Sequence, residues 1–211
     1  MDTIARYWLE KSNIAQEMSC QTSKIRELYK AVEDTFLFNG TVFTMANGGG
    51  ASAAEGFAVD LATHPFVPDN KTENPGPRHK LQVECLCTSV GLITGISNDL
   101  GFDHIFVEQL MNHDLGPNDL LIGFSGSGNS PNIIKAFEHA KRFDARTACV
   151  SGRGGGKAAK LVDISIVIPG TSTFPGQTGP NDNNFHIEDF QVSISHIVTG
   201  LLKEYYSENF N

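Results

Sequence analysis

Alternating serines and glycines, Ser125-Gly126-Ser127-Gly128-Asn129-Ser130, follow the apolar stretch Leu120–Phe124 and precede Pro131. Hydroxyls at this spacing suit the oxygens of a phosphate-sized anion. Gly126 and Gly128 allow positive φ and leave the backbone N–H groups uncovered. Ser130 is placed as a helix N-cap and Pro131 as the first helical residue. A helix start aims free N–H groups and a positive dipole end at whatever lies before it, which favours an anion there. The stretch contains no GxxxxGK[ST], which excludes a Walker-type nucleotide loop, and its departure from GxGxxG weakens a dinucleotide reading. A capped Gly/Ser turn with no ligand is the plain alternative.

These residues need a scaffold that gathers turns on one side. Ile14, Met18, Ile25, Leu28 and Val32 recur at helical spacing, so residues 1–38 are predicted helical up to Gly40, with an apolar stripe expected to pack in an oligomer. Thr41–Ala46, Leu81–Thr88, Leu120–Phe124, Thr147–Val150 and Ile164–Ile168 read as strands. Helices are predicted after Asn47-Gly48-Gly49-Gly50, at Pro131–Phe143, at Lys157–Leu161 and at His186–Tyr206. Residues 64–80 and 170–184, rich in proline or turn residues, read as loops. Strands alternating with helices predict βαβ units and a parallel sheet, whose ligands bind at the carboxyl ends of the strands.

Composition narrows the chemistry further. The 211 residues carry a net charge of −8 and are 40% hydrophobic, as expected of one globular domain. An acidic chain lacks the basic footprint that nucleic acid or an anionic membrane needs. The apolar runs are too short to span a bilayer. The N-terminal MDTIARYWLEKSN has early charges and no signal-peptide core, so a cytoplasmic location is expected. Cys20, Cys85, Cys87 and Cys149 lack metal-type spacing, and Cys85 and Cys87 read as buried strand thiols.

The segment SGSGNSPN after a strand resembles the phosphosugar-binding signature of the SIS (sugar isomerase) family. ANGGGASAAEGFAVDL (46–61), ISNDLGFDHIF (96–106), SGRGGGKAAKLVDISIVIP (151–169) and IEDFQVSISHIV (187–198) are similar to its phosphoheptose isomerase branch, in the family's order and over nearly the whole chain. The resemblance implies an α/β fold. It would be a single SIS domain over 1–211, a three-layer αβα sandwich with a flavodoxin-like parallel sheet and an N-terminal helical extension. It also implies a homotetramer with active sites between subunits. The implied activity is interconversion of sedoheptulose 7-phosphate and D-glycero-D-manno-heptose 7-phosphate. A second class, a non-catalytic phosphosugar sensor or a replication-initiator-associating adaptor, stands beside it.

Matched motif to motif, the resemblance makes Ser125, Gly126, Ser127 and Ser130 phosphate-binding, and places Asn47, Gly48, Gly49 and Asp99 against substrate. It makes Asp60 and His196 the acid–base pair that moves a proton between C1 and C2 through an enediolate. Neighbouring apolar residues (Val59 and Leu61; Ile194 and Ile197) are expected to desolvate them. Three positions depart from the family. Asp60 replaces a glutamate; Gly56 replaces a zinc-binding histidine; Gly50 replaces a serine, with Ser52 as the candidate substitute. Glu188, also expected at the substrate, stands where the family has glutamine. Asp60, Glu188 and His196 are thereby the candidate metal ligands, with Zn2+ left open. Arg78, His79 and Lys80 either meet the substrate or belong to a solvated loop.

Overall fold

The computed structural model describes residues 2–68, 79–177 and 183–210. Its helices are α1 (Thr3–Glu17), α2 (Thr22–Leu37), α3 (Gly49–Thr63), α4 (Val90–Asp99), α5 (Val107–Leu110), α6 (Pro131–Arg142), α7 (Ala158–Leu161) and α8 (Asn184–Phe210). The strands β1 (Thr41–Ala46), β2 (Gln82–Cys85), β3 (Leu120–Ser125), β4 (Arg146–Ser151) and β5 (Ile164–Val167) pair in parallel in the order β2-β1-β3-β4-β5. This is the flavodoxin-like order, with its switch point between β1 and β3.

Strand alternation builds two cores. Val42, Ala46, Leu120, Ile122, Phe124, Ala148 and Val150 face α2, α3 and α8. Phe43, Met45, Leu121 and Cys149 face the other way, toward Leu110 of α5 and Ile133, Ala136, Phe137 and Ala140 of α6. The result is the expected three-layer sandwich. Gly123 in β3 is required by contact: a Cβ there would lie 2.6 Å from the Phe137 ring.

The N-terminal helical region is interrupted at Met18–Gln21 by a 3-10 turn, where the Thr22 hydroxyl donates to the Ser19 carbonyl at 2.8 Å. Its apolar stripe packs on the chain's own core through Ile14, Met18, Leu28, Val32 and Phe36, while Ile4, Trp8 and Leu9 stay exposed. At the end of α2, Asn39 takes the left-handed conformation (φ 58°). Gly40 is needed for close approach instead, since a Cβ would come within 1.9 Å of the Asn118 carbonyl oxygen.

One strand end and one loop residue differ from expectation. The strand expected over Leu81–Thr88 stops at Cys85, because residues 85–88 turn back. His79 stacks on Phe36 (ring centroids 5.2 Å apart), its Nε2 lying 3.2 Å from the Phe36 carbonyl, and so anchors the loop to the core. Lys80 is exposed, and Arg78 lies outside the described residues. Among the described residues, no helix is long and apolar enough to cross a membrane.

Candidate active site

The carboxyl ends of β1, β3 and β4 release three glycine-rich turns side by side. After β1, Gly48 adopts φ 57° and ψ −133°, a conformation open to glycine, and α3 begins. The Asn47 side chain is fixed by a reciprocal amide pair with Asn132 on α6, at 3.0 and 2.8 Å. This pair ties the first turn to the second.

In the second turn Ser125 Oγ accepts from the Gly128 N–H at 3.0 Å, and Ser127 Oγ accepts from the Asn129 N–H at 3.2 Å. Gly128 has φ 64°, but Gly126 does not take positive φ; its role is proximity, since a Cβ would stand 2.5 Å from Asn184 Oδ1. Ser130 occupies the N-cap of α6 with Pro131 behind it, yet its hydroxyl makes no capping bond and lies at the cavity instead. The third turn, Arg153 to Gly156, is left-handed throughout (φ 51°, 76°, 82° and 56°). It presses against the second: the Ala158 N–H donates to the Gly128 carbonyl at 2.9 Å, and the Lys157 N–H to Asn129 Oδ1 at 3.0 Å.

These turns and one face of α8 enclose an open cavity of about 260 Å³. Asn47, Gly48, Gly49, Gly126, Ser127, Ser130 and Glu188 line it, all of them expected from the sequence. Ser125 lies beneath, buried, with its oxygen engaged in closing the turn. Ser52 and Asp99 are exposed and lie apart from it; Asp99 Oδ1 accepts from Asn98 Nδ2 at 2.8 Å.

The lining also includes Arg153, Asn184 and Gln191, which sequence reasoning missed. Arg153 donates to Asn184 Oδ1 at 2.8 Å and is the one cation among the described lining residues. Asn184 and Gln191 stand four residues before and three after Glu188, so helical spacing around that carboxylate would have found them. Gln191 Nε2 donates to the Val150 carbonyl at 3.1 Å, while its Oε1 is buried without a partner. Burial first, and then the negative charge of Asp189, push the Glu188 carboxyl above its ordinary range. Its oxygens crowd Gly49, where a Cβ would lie 2.4 Å from Oε2.

Asp60 and His196 meet where α3 crosses α8, with Oδ2 and Nε2 3.7 Å apart. They do not line the cavity, and their side chains are 36% and 65% exposed. Val59 and Ile197 are exposed too, so the expected desolvation is not supplied within one chain. Both helices nevertheless start at the cavity: α3 with Gly49 and Gly50, α8 with Asn184 and Glu188. His196 lies eight residues beyond Glu188, which at the helical rise is roughly 12 Å along α8.

A metal set does not assemble here. Among the described residues no three His, Cys, Asp or Glu side chains converge as ligands. Glu188 turns to the cavity, Gly56 has no donor, and Asp60 and His196 alone face each other. Two donors do not fit zinc's usual three or four protein ligands.

The comparisons agree with this geometry. The SIS-domain family profile matches residues 6–152. The chain is 30% identical to a phosphoheptose isomerase of Campylobacter jejuni, covering 97% of this chain and 98% of the relative. It is 31% identical to one from Trichlorobacter lovleyi, covering 95% and 92%. A solved phosphoheptose isomerase from Neisseria gonorrhoeae superposes with a TM-score of 0.79 at 24% identity, over 95% of this chain and 97% of that one. With the parallel sheet, the serine turn and this coverage together, the chain belongs to the phosphoheptose isomerase branch of the SIS-domain family.

Proposed function

We propose that the protein interconverts sedoheptulose 7-phosphate and D-glycero-D-manno-heptose 7-phosphate. One observation carries this reading. The serine-lined cavity lies at the starts of α3 and α8, the two helices that carry Asp60 and His196 farther along, as an extended sugar phosphate with a distant reacting end requires. The phosphate sits against Ser127, Ser130 and the start of α6, with Arg153 adding positive charge. The sugar chain then follows the α3–α8 seam.

At its far end the Asp60 carboxylate takes a proton from C1 of the ketose. The resulting enediolate is reprotonated at C2, while His196 moves the proton between the two oxygens. Glu188, less acidic than an ordinary carboxyl, faces the middle of the chain and accepts from its hydroxyls. Supplying sedoheptulose 7-phosphate and measuring aldose formation tests the assignment. His196→Ala is expected to lower kcat by roughly 10²–10⁴ with phosphate binding kept. Binding without turnover in the wild-type protein would favour the sensor reading and overturn this one.

The assembly we propose is a homotetramer, in cytoplasm. Exposed apolar side chains support it: Ile4, Trp8 and Leu9 on α1, Val59 on α3, Val90 and Leu92 on α4, and Ile197 on α8. Helix α4 has no fully buried residue: Ile93 and Ile96 pack partly on the core, and Val90 and Leu92 are left for another surface. A second copy covering Val59 and Ile197 would also dry the acid–base pair. Light scattering of the purified protein reads the oligomeric state directly.

A further inference from the structure

The backbone leading into the cavity's first turn rests on Cys87, one of two neighbouring thiols to which the isomerisation assigns no task. Cys85 ends β2, and the chain then turns: the Thr88 amide and hydroxyl both donate to the Cys85 carbonyl, at 3.4 and 3.0 Å. The turn places Cys87 two residues beyond Cys85, and both pack half-buried against the same core. Cys87 Sγ accepts from the Ala46 N–H at 3.2 Å and lies 3.3 Å from the Ala46 carbonyl. Cys87 thus bonds both polar groups of the Ala46 backbone, one with its sulfur and one with its hydrogen. Ala46 is the residue before Asn47, so a sulfur atom braces the backbone that presents the cavity wall.

The two thiols are also unequal. Interaction with Cys87 lowers the Cys85 thiol, while the same interaction, together with burial, keeps Cys87 protonated. Glu55, nearby on α3, opposes ionisation of either. Both cysteines are half-buried. Cys149 is sealed in the core, its thiol pushed up to about 12 by burial, and Cys20 is exposed on a helix turn with no thiol partner.

We propose that Cys85 and Cys87 form a thiol–disulfide exchange site for low-molecular-weight disulfides, whose oxidation loosens the Asn47 wall of the phosphate cavity. The Cys85 sulfur attacks one sulfur of a disulfide RSSR. That S–S bond breaks, a mixed disulfide forms, and RS⁻ leaves to collect a proton. Cys87 then gives up its proton and attacks the Cys85 sulfur, expelling the second RS⁻. Two protein thiols are oxidised to one disulfide and RSSR is reduced to two RSH. The oxidised Cys87 has no hydrogen left to give the Ala46 carbonyl.

The test uses the intact protein and oxidised glutathione, read by mass spectrometry and by titration with inorganic phosphate. The expected product is lighter by two hydrogens, with the new bond mapped to the peptide holding residues 85–87. Its phosphate Kd is expected to rise roughly threefold to tenfold, reverting with dithiothreitol. Cys87→Ser is expected to stop at a glutathione adduct on Cys85, and Cys85→Ser to form no 85–87 bond. An adduct at Cys20 alone, reduced thiols at 85 and 87, or a mapped disulfide with unchanged phosphate affinity would each overturn the proposal. Neither readout depends on which sugar is isomerised, so a failure here is distinct from a failure of the substrate assignment.

Discussion

At the residue scale, the cavity depends on a few hydroxyls and on the glycines that expose amides between them. Ser127 Oγ already accepts from the Asn129 N–H, so its hydroxyl hydrogen is what remains for a phosphate oxygen. A hydrogen bond to an ionised group is worth about 1.5–3 kcal/mol, so Ser127→Ala is expected to weaken phosphate binding roughly 10- to 100-fold with an unchanged melting temperature. Calorimetric titration with phosphate reads this. Gly50 gives the opposite prediction. A Cβ there would sit at ordinary contact distances from Ala46 Cβ (3.4 Å), Gln191 Oε1 (3.5 Å) and the Phe124 carbonyl (3.8 Å). Gly50→Ser therefore fits, and the added hydroxyl meets the buried, unpartnered Gln191 Oε1 at the cavity. The expected result is a KM for sugar phosphate lower by roughly two- to tenfold. An increase in KM would show that the cavity needs the space.

At the scale of elements, α1 is latched to the rest of the chain by a carboxylate. Glu10 accepts from the Ser172 hydroxyl at 2.6 Å, from the Thr173 amide and hydroxyl at 3.0 and 2.6 Å, and lies 3.0 Å from His186 Nε2. Burial alone would raise its pKa, but these bonds outweigh burial and hold it at about 2, against 4.5 for the free group. A carboxyl depressed in this way adds stability that is fully present above pH 4.5 and is lost as pH falls toward 2. Glu10→Gln is accordingly expected to lower the urea midpoint at pH 7, with the gap from wild type closing as the pH is taken to 3 and below. A gap that stays constant with pH would mean that the latch is not ionic.

The strands, the switch-point turns and α8 were legible in the sequence because apolar alternation and glycine punctuation are local signals. The region between residues 89 and 119 was not: α4 turns only Ile93 and Ile96 inward, and those partly, which is too short a stripe to read. The same limit explains the site. Ser127, Ser130 and Glu188 could be placed from motif order. Arg153 and Gln191 reach the cavity only through the packing of one turn on another and of α8 on the sheet. The Asp60–His196 contact was expected, but their exposure was not, since it depends on what covers α3 and α8 rather than on adjacent residues.

At the scale of the whole molecule, the placement of ligands decides what the reaction needs. With Gly56 lacking a donor and Glu188 turned to the cavity, exhaustive chelation is expected to leave isomerase activity within about twofold of the untreated enzyme. A large loss restored by zinc would mean that neighbouring subunits complete the ligand set. The core is also held at long range. Phe137 fills the space beside Gly123, and Phe137→Ala is expected to cost about 3–5 kcal/mol in chemical denaturation, far more than any cavity substitution. Helix α8 has the longest reach. It contributes Ile187, Phe190, Ile194, Val198, Leu202 and Tyr206 to one core and Asn184, Glu188 and Gln191 to the cavity. A ribosome makes it only after all five strands, so a nascent chain must wait with one face of its sheet covered only by the earlier helices. During that interval it would be open to chaperones and proteases, and without affinity for its substrate, until translation delivers the lid.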